Sequence, residues 1–121
     1  MNRRTLSLSV VAVVLSAGVL TQKSGHTQPA PRRIEVHAKR FSYQPNEITV
    51  KKGEPVLLVL TAEDVSHGLR FRELNVDIKA PKGQSGQAQF TPERAGDFIG
   101  HCSTFCGSGH GSMTLTLHVV E

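Results

Sequence analysis

Met113-Thr114-Leu115-Thr116-Leu117-His118-Val119 is the stretch that decides the fold. Met113, Leu115, Leu117 and Val119 alternate with Thr114, Thr116 and His118. A period of two turns one apolar row to a core and one polar row to water, which is the pattern of a half-buried β-strand. Working back from it, shorter runs repeat the theme. Asp97-Phe-Ile99, Ala88-Gln-Phe90, Val76-Asp-Ile78, His67 to Phe71 and Ile48-Thr-Val50 each read as strands. Val56-Leu-Leu-Val-Leu60 is a continuous apolar run, and Ile34-Glu-Val-His-Ala38 alternates. Turn signals such as Pro81-Lys-Gly83 and Pro92-Glu-Arg-Ala-Gly96 separate them at the spacing of an all-β sandwich or barrel. No helical period competes after the first 20 residues. With 121 residues and 38% apolar side chains, the chain holds one domain with a modest core.

Ahead of the strands the composition changes. Met1-Asn-Arg-Arg4 is a basic start to the apolar run Leu6 to Leu20, which reads as an export signal or a membrane anchor. The run is short for a spanning helix, which needs about 20 residues, and Ser16-Ala17-Gly18 is its best cleavage site. Residues 21–33 are polar, contain Pro29 and Pro31, and read as a linker in which His26 is solvated. The expected organisation is therefore 1–20 signal or anchor, 21–33 linker and 34–121 folded domain.

The net charge of +4 belongs largely to that leader. Five of the 14 Lys and Arg (Arg3, Arg4, Lys23, Arg32, Arg33) fall in the first 33 residues, leaving nine against all ten acidic residues in the rest. A basic groove interleaved with aromatics is missing, so nucleic acid is set aside as a partner.

The chemistry lies just before the last strand, in Cys102-Ser-Thr-Phe-Cys106-Gly-Ser-Gly-His110-Gly-Ser-Met113. These are the only cysteines, and Met113 is the only methionine after the initiator. Thiolate, imidazole and thioether form a soft donor set suited to copper. Two thiolates four residues apart can face one point and bridge two metal ions, with His and Met at opposite ends. Gly107, Gly109 and Gly111 let the backbone turn tightly between them. A further ligand is expected from elsewhere, and His67, at the start of another strand, is the best candidate; Asp64 either orients it or is a turn carboxylate. Competing readings are a structural disulfide in an oxidising compartment, a zinc site, and a mononuclear blue-copper site that would leave one thiol unexplained. His101 alternates away from Cys102, and His37 and His118 read as surface histidines.

Gly96-Asp-Phe-Ile-Gly-His-Cys102-Ser-Thr-Phe-Cys106-Gly-Ser-Gly-His110-Gly-Ser-Met113 resembles the binuclear copper A (CuA) segment of cytochrome c oxidase subunit II, and Asp64-Val-Ser-His67 is similar to the Asp-Val-x-His of that family. Phe41 to Val50 and Asn75-Val-Asp-Ile78 resemble the short subunit II of ba3-type oxidases. The resemblance covers about residues 38–121. It implies a cupredoxin-like Greek-key β-sandwich behind the N-terminal signal or anchor segment. It also implies that Cys102 and Cys106 bridge two coppers, that His67 and His110 each bind one, that Met113 is a weak ligand and that the main-chain carbonyl of Thr104 is another. The family usually carries Glu where Thr104 stands, but only the carbonyl binds. There is no tryptophan, and Leu69 occupies the position where the family places an aromatic for electron entry.

The expectation is an exported copper-binding electron-transfer protein, periplasmic or anchored to the outer face of the cytoplasmic membrane, without independent catalysis. Two thiolates sharing one unpaired electron across two coppers let charge move with little change in bond length. Its partners would be a donor such as a c-type cytochrome, the catalytic subunit of a heme-copper oxidase, and the membrane if the leader is retained. The alternatives are a protein delivering copper to an oxidase, or a blue-copper protein. The near balance of charge from Ile34 onward, with Leu69 in place of an aromatic, predicts donor encounter through short-range apolar contact and only weak dependence on ionic strength.

Overall fold

Val56–Ala62 carries the most apolar run of the chain and lies at the centre of the first of two sheets, with Val56, Leu58, Val59, Leu60 and Ala62 buried. A strand buried on both faces reads as a continuous apolar run rather than an alternating one. The computed structural model describes Gly18 and residues 30–121. Apart from Gly18, the expected signal or anchor lies outside the described residues, as does His26 with most of the linker. No helix among the described residues is long and apolar enough to cross a membrane.

Nine strands follow in order: β1 (Arg32–Lys39), β2 (Ser42–Gln44), β3 (Glu47–Lys51), β4 (Val56–Ala62), β5 (His67–Phe71), β6 (Val76–Ala80), β7 (Ser85–Phe90), β8 (Gly96–His101) and β9 (Thr114–Val120). One sheet has the order β2-β1-β4-β7 and the other β3-β9-β8-β5-β6. Two pairings are parallel, β1 with β4 and β3 with β9, and the rest are antiparallel. The parallel neighbours are far apart in sequence, so the chain crosses between the sheets as it winds, as a cupredoxin-like Greek-key sandwich requires. The inward rows of both sheets meet in one core that includes Val36, Leu58, Leu60, Phe71, Ile78, Leu115 and Leu117. Each such side chain contributes about 1.5–3 kcal/mol on full burial.

The structure departs from the expected boundaries in two places. β1 begins at Arg32, two residues before Ile34, because Arg32 and Arg33 pair with Val56 and Leu57 and the Arg32 N–H donates to Pro55 O at 2.9 Å. The short β2, which the apolar pattern does not reveal, is held by pairing with His37, Ala38 and Lys39 and by its one buried side chain, Tyr43. Short 3-10 turns cover Arg72–Leu74 and His110–Ser112.

Candidate metal centre

β5 opens directly on the site, since His67 is its first residue and is fully buried. The imidazole is fixed from one side only. His67 Nε2 lies 2.7 Å from Asp64 Oδ1, whereas Nδ1 is buried with no hydrogen-bond partner. An unpaired buried nitrogen costs free energy unless something meets it, about 1–3 kcal/mol. His67 converges with Cys102 and Cys106, and one donor atom from each of the three residues lies within 4.8 Å of the others. A carboxylate on one ring nitrogen, with the other left for soft donors, is the arrangement that orients a metal-binding histidine.

The remaining donors come from the loop between β8 and β9. Cys102 Sγ and Cys106 Sγ are 3.5 Å apart as free, buried thiols. This is well beyond the S–S bond of about 2.05 Å. The Thr104 carbonyl oxygen lies 3.0 Å from Cys102 Sγ. His110 Nδ1 lies 3.8 Å and Met113 Sδ 3.9 Å from Cys106 Sγ. All six residues singled out in the sequence, His67, Cys102, Thr104, Cys106, His110 and Met113, therefore gather in one place. Soft sulfur and imidazole donors with one orphaned nitrogen fit copper. They fit zinc less well, because a thioether is a poor zinc ligand.

Burial first, and then the neighbouring Cys102 thiol, push the Cys106 thiol up to about 11. Metal uptake must therefore release protons from this site. Burial works against the Asp64 carboxylate, but the Arg40 N–H, the His67 ring and the Val65 N–H outweigh it and hold the carboxyl well below its usual range. Asp64 is thus both the turn carboxylate and the group that orients His67.

Three contributors were not legible in the ligand motif. The Arg40 N–H donates to Asp64 Oδ2 at 2.8 Å, and Arg40 Nε donates to Cys106 O at 2.8 Å, so one residue ties the histidine arm to the thiol loop. Phe41 lies over the loop glycines: a Cβ on Gly109 would meet its ring at 2.6 Å, and one on Gly107 at 2.9 Å. Gly107 also has φ +138°, a conformation that side chains disfavour. Gly109 is needed for close approach, whereas a Cβ on Gly111 would meet nothing within 4 Å. Tyr43 donates from its phenol to Gly68 O, and burial followed by Cys102 raises it far above its ordinary value. The only specific sequence signal was for Phe41 and Tyr43, in the likeness of Phe41 to Val50 to the family.

One secondary expectation changes. Leu69 is fully buried and offers no surface to a partner; the exposed apolar residue here is Phe105, 78% exposed, whose ring centroid lies 5.8 Å from that of His110. His101 is exposed, as alternation predicts, while His37 pairs with Glu63, and His118 with Asp97 and Glu47.

Residues 30–120 match the family described as cytochrome c oxidase subunit II, periplasmic domain. A cytochrome c oxidase subunit 2 of Thermus thermophilus is 33% identical over 95 residues, covering 78% of this chain and 70% of that protein. A second subunit 2 from the same species is also 33% identical, with 56% of its length covered. Among solved structures, the periplasmic domain of subunit II (CoxB) of Bradyrhizobium japonicum aligns with a TM-score of 0.70 at 24% identity, over 78% of this chain and 88% of that one. A chain of a heme-copper terminal oxidase dimer aligns at 0.67 and 27% identity, over 75% and 66%. The match spans nearly every described residue, including both arms of the donor cluster, and the chain belongs to the family of the periplasmic domain of cytochrome c oxidase subunit II.

Proposed function

We propose that the domain holds a binuclear copper centre and passes single electrons into a heme-copper oxidase. The observation that carries this reading is the buried His67, its Nδ1 without a hydrogen-bond partner, converging with two free thiols 3.5 Å apart. Cys102 and Cys106 would bridge the coppers, His67 and His110 would bind one each, and Met113 and the Thr104 carbonyl would be the weak ligands. Bound copper supplies the one-electron redox chemistry. The chain does the rest. Asp64 keeps the proton on His67 Nε2, so Nδ1 stays a donor. The buried Cys102, Cys106 and Met113 keep water from the sulfur donors, and the strands on either side hold their spacing.

The family places the domain on the periplasmic side. The likeness to a chain of a heme-copper oxidase dimer supports docking onto a catalytic subunit, and a c-type cytochrome is the proposed donor. Residues 1–20 would export the chain or anchor it, with 21–31 as tether. The test is an anaerobic copper titration of the reduced chain, followed by mixing with a reduced c-type cytochrome. Uptake should end at two coppers per chain, and the loaded protein should then accept one electron. Uptake ending at one copper that a chelator readily removes would instead indicate a copper-delivery protein.

A further inference from the structure

A cleft of about 480 Å³ opens beside the donor cluster, lined by Arg70, Arg72, His101, Cys102, Ser103 and His110. Two of its residues, Cys102 and His110, are donors of the proposed centre, so anything seated here lies directly beside that centre. Arg70 sits on β5 opposite His101 of β8, and Arg72 begins the 3-10 turn that follows. Both arginines are exposed, and neither forms an ion pair among the described residues.

Carboxylates nearby are otherwise engaged. Asp77 faces Arg70 across the β5–β6 ladder, but its Oδ1 accepts from Ser103 Oγ at 3.0 Å. Glu73 pairs with Arg94 at 3.6 Å, and Asp97 with His118 at 2.6 Å. The cleft thus presents two guanidinium groups against one neighbouring carboxylate, beside the exposed ring of Phe105 that packs on His110. Guanidinium forks recognise carboxylates in bidentate fashion, and a cleft lined by one sign of charge steers the encounter with the other. The near balance of charge from Ile34 onward conceals this placement.

We propose that this cleft docks the acidic face of the electron-donor protein, with Arg70 and Arg72 gripping carboxylates around the donor's cofactor and Phe105 supplying apolar contact. The inference rests on the copper reading of the adjoining residues. It reverses the expectation of an encounter only weakly dependent on ionic strength, and it selects an acidic donor rather than a basic one.

The first arm of the test is independent of copper. Hexacyanochromate(III), a paramagnetic trianion, is titrated into the metal-free, isotope-labelled full chain while amide resonances are followed. Broadening should centre on Arg70, Arg72 and Ser103 and vanish in the Arg70→Gln/Arg72→Gln double variant. Broadening spread over lysines elsewhere, or unchanged in that variant, overturns the proposal. The second arm measures reduction of the copper-loaded chain by two c-type cytochromes of opposite net charge. With the acidic one the rate should fall by more than about tenfold between low and physiological salt, and the double variant should abolish that fall while keeping its copper content and visible spectrum. A salt-dependent fall with the basic cytochrome instead overturns the proposal. Anion broadening in the cleft without any effect on the acidic donor marks a small-anion site and equally overturns docking. Failure of the wild-type chain to take up copper would sink the copper reading, while the first arm would still decide whether the cleft attracts anions.

Discussion

The two arms of the metal centre are built differently. His67 is delivered by a strand: it heads β5, pairs with Ala80 of β6, is fully buried, and has its ring oriented by Asp64. Cys102, Thr104, Cys106, His110 and Met113 come from a loop with little ladder of its own. That loop is closed by Cys102 N–H to Met113 O at 3.3 Å, by Arg40 on Cys106 O, and by Phe41 lying on its glycines. The strand arm is preorganised by the core, whereas the loop arm is clamped from outside by a neighbouring segment. One of the proposed ligands is therefore fixed by the fold, and the others depend on how well the loop is held.

The largest expected effect falls on the loop. Cys102→Ser or Cys106→Ser should abolish the binuclear centre outright, since no other residue among those described offers a bridging thiolate; copper content and the visible spectrum read the loss. Retention of two coppers in either variant would break the comparison, because the loop would no longer be the bridging arm.

Next in size is the clamp. Gly109→Ala should destabilise the domain by about 1–3 kcal/mol, the range for overpacking, as the new methyl meets the Phe41 ring. Gly111→Ala, with open space around it, should change stability by less than about 0.5 kcal/mol. Denaturant midpoints of the two variants make the measurement. Equal effects would mean that Phe41 moves aside freely and clamps nothing.

Smaller again is the tuning of the weak donors. Met113→Leu should keep both coppers while changing the reduction potential, because a thioether acts mainly on potential. Thr104→Ala should be nearly silent, as the carbonyl survives. Loss of copper in Thr104→Ala would assign the ligand to its side chain.

The smallest effect lies away from both arms. His118 bonds Asp97 at 2.6 Å and Glu47 at 3.3 Å, and these carboxylates, Asp97 first, raise its pKa above the ordinary 6.5. A raised folded-state value means that the stabilisation is fully present below about pH 6.5, the unfolded value, and fades as pH rises through the higher folded value. The gap in urea midpoint between the wild type and His118→Gln should accordingly narrow from about pH 6 to pH 9. A constant gap would show that the pairing does not respond to protonation.

How much of this could be read in advance follows from the same contrast. Alternation in β9 and β1 and the apolar run of β4 reveal the sandwich, because their side chains face a core that imposes a period. Cys102, Cys106 and Met113 stood out because cysteine and methionine are rare in this chain, His110 because it lies between them, and Thr104 only through the resemblance to the family. Arg40, Phe41 and Tyr43 were not legible, since Arg40 and Phe41 act on a loop more than 60 residues further along and Tyr43 on Gly68, 25 residues on, and no local pattern records those approaches. Leu69 misled for a related reason: its position matched a surface aromatic of the family, but in β5 it faces the core. The pair of arginines at the cleft was hidden because Arg70 and Arg72 are cancelled in the sum over residues 34–121.

The central claim is that both arms close on two metal ions rather than one. Its most direct test is the electron paramagnetic resonance spectrum of the copper-loaded protein, taken with metal analysis of the same sample. Two coppers per chain, with one unpaired electron showing equal hyperfine coupling to both nuclei, is the predicted result. One copper per chain, with coupling to a single nucleus, would contradict it.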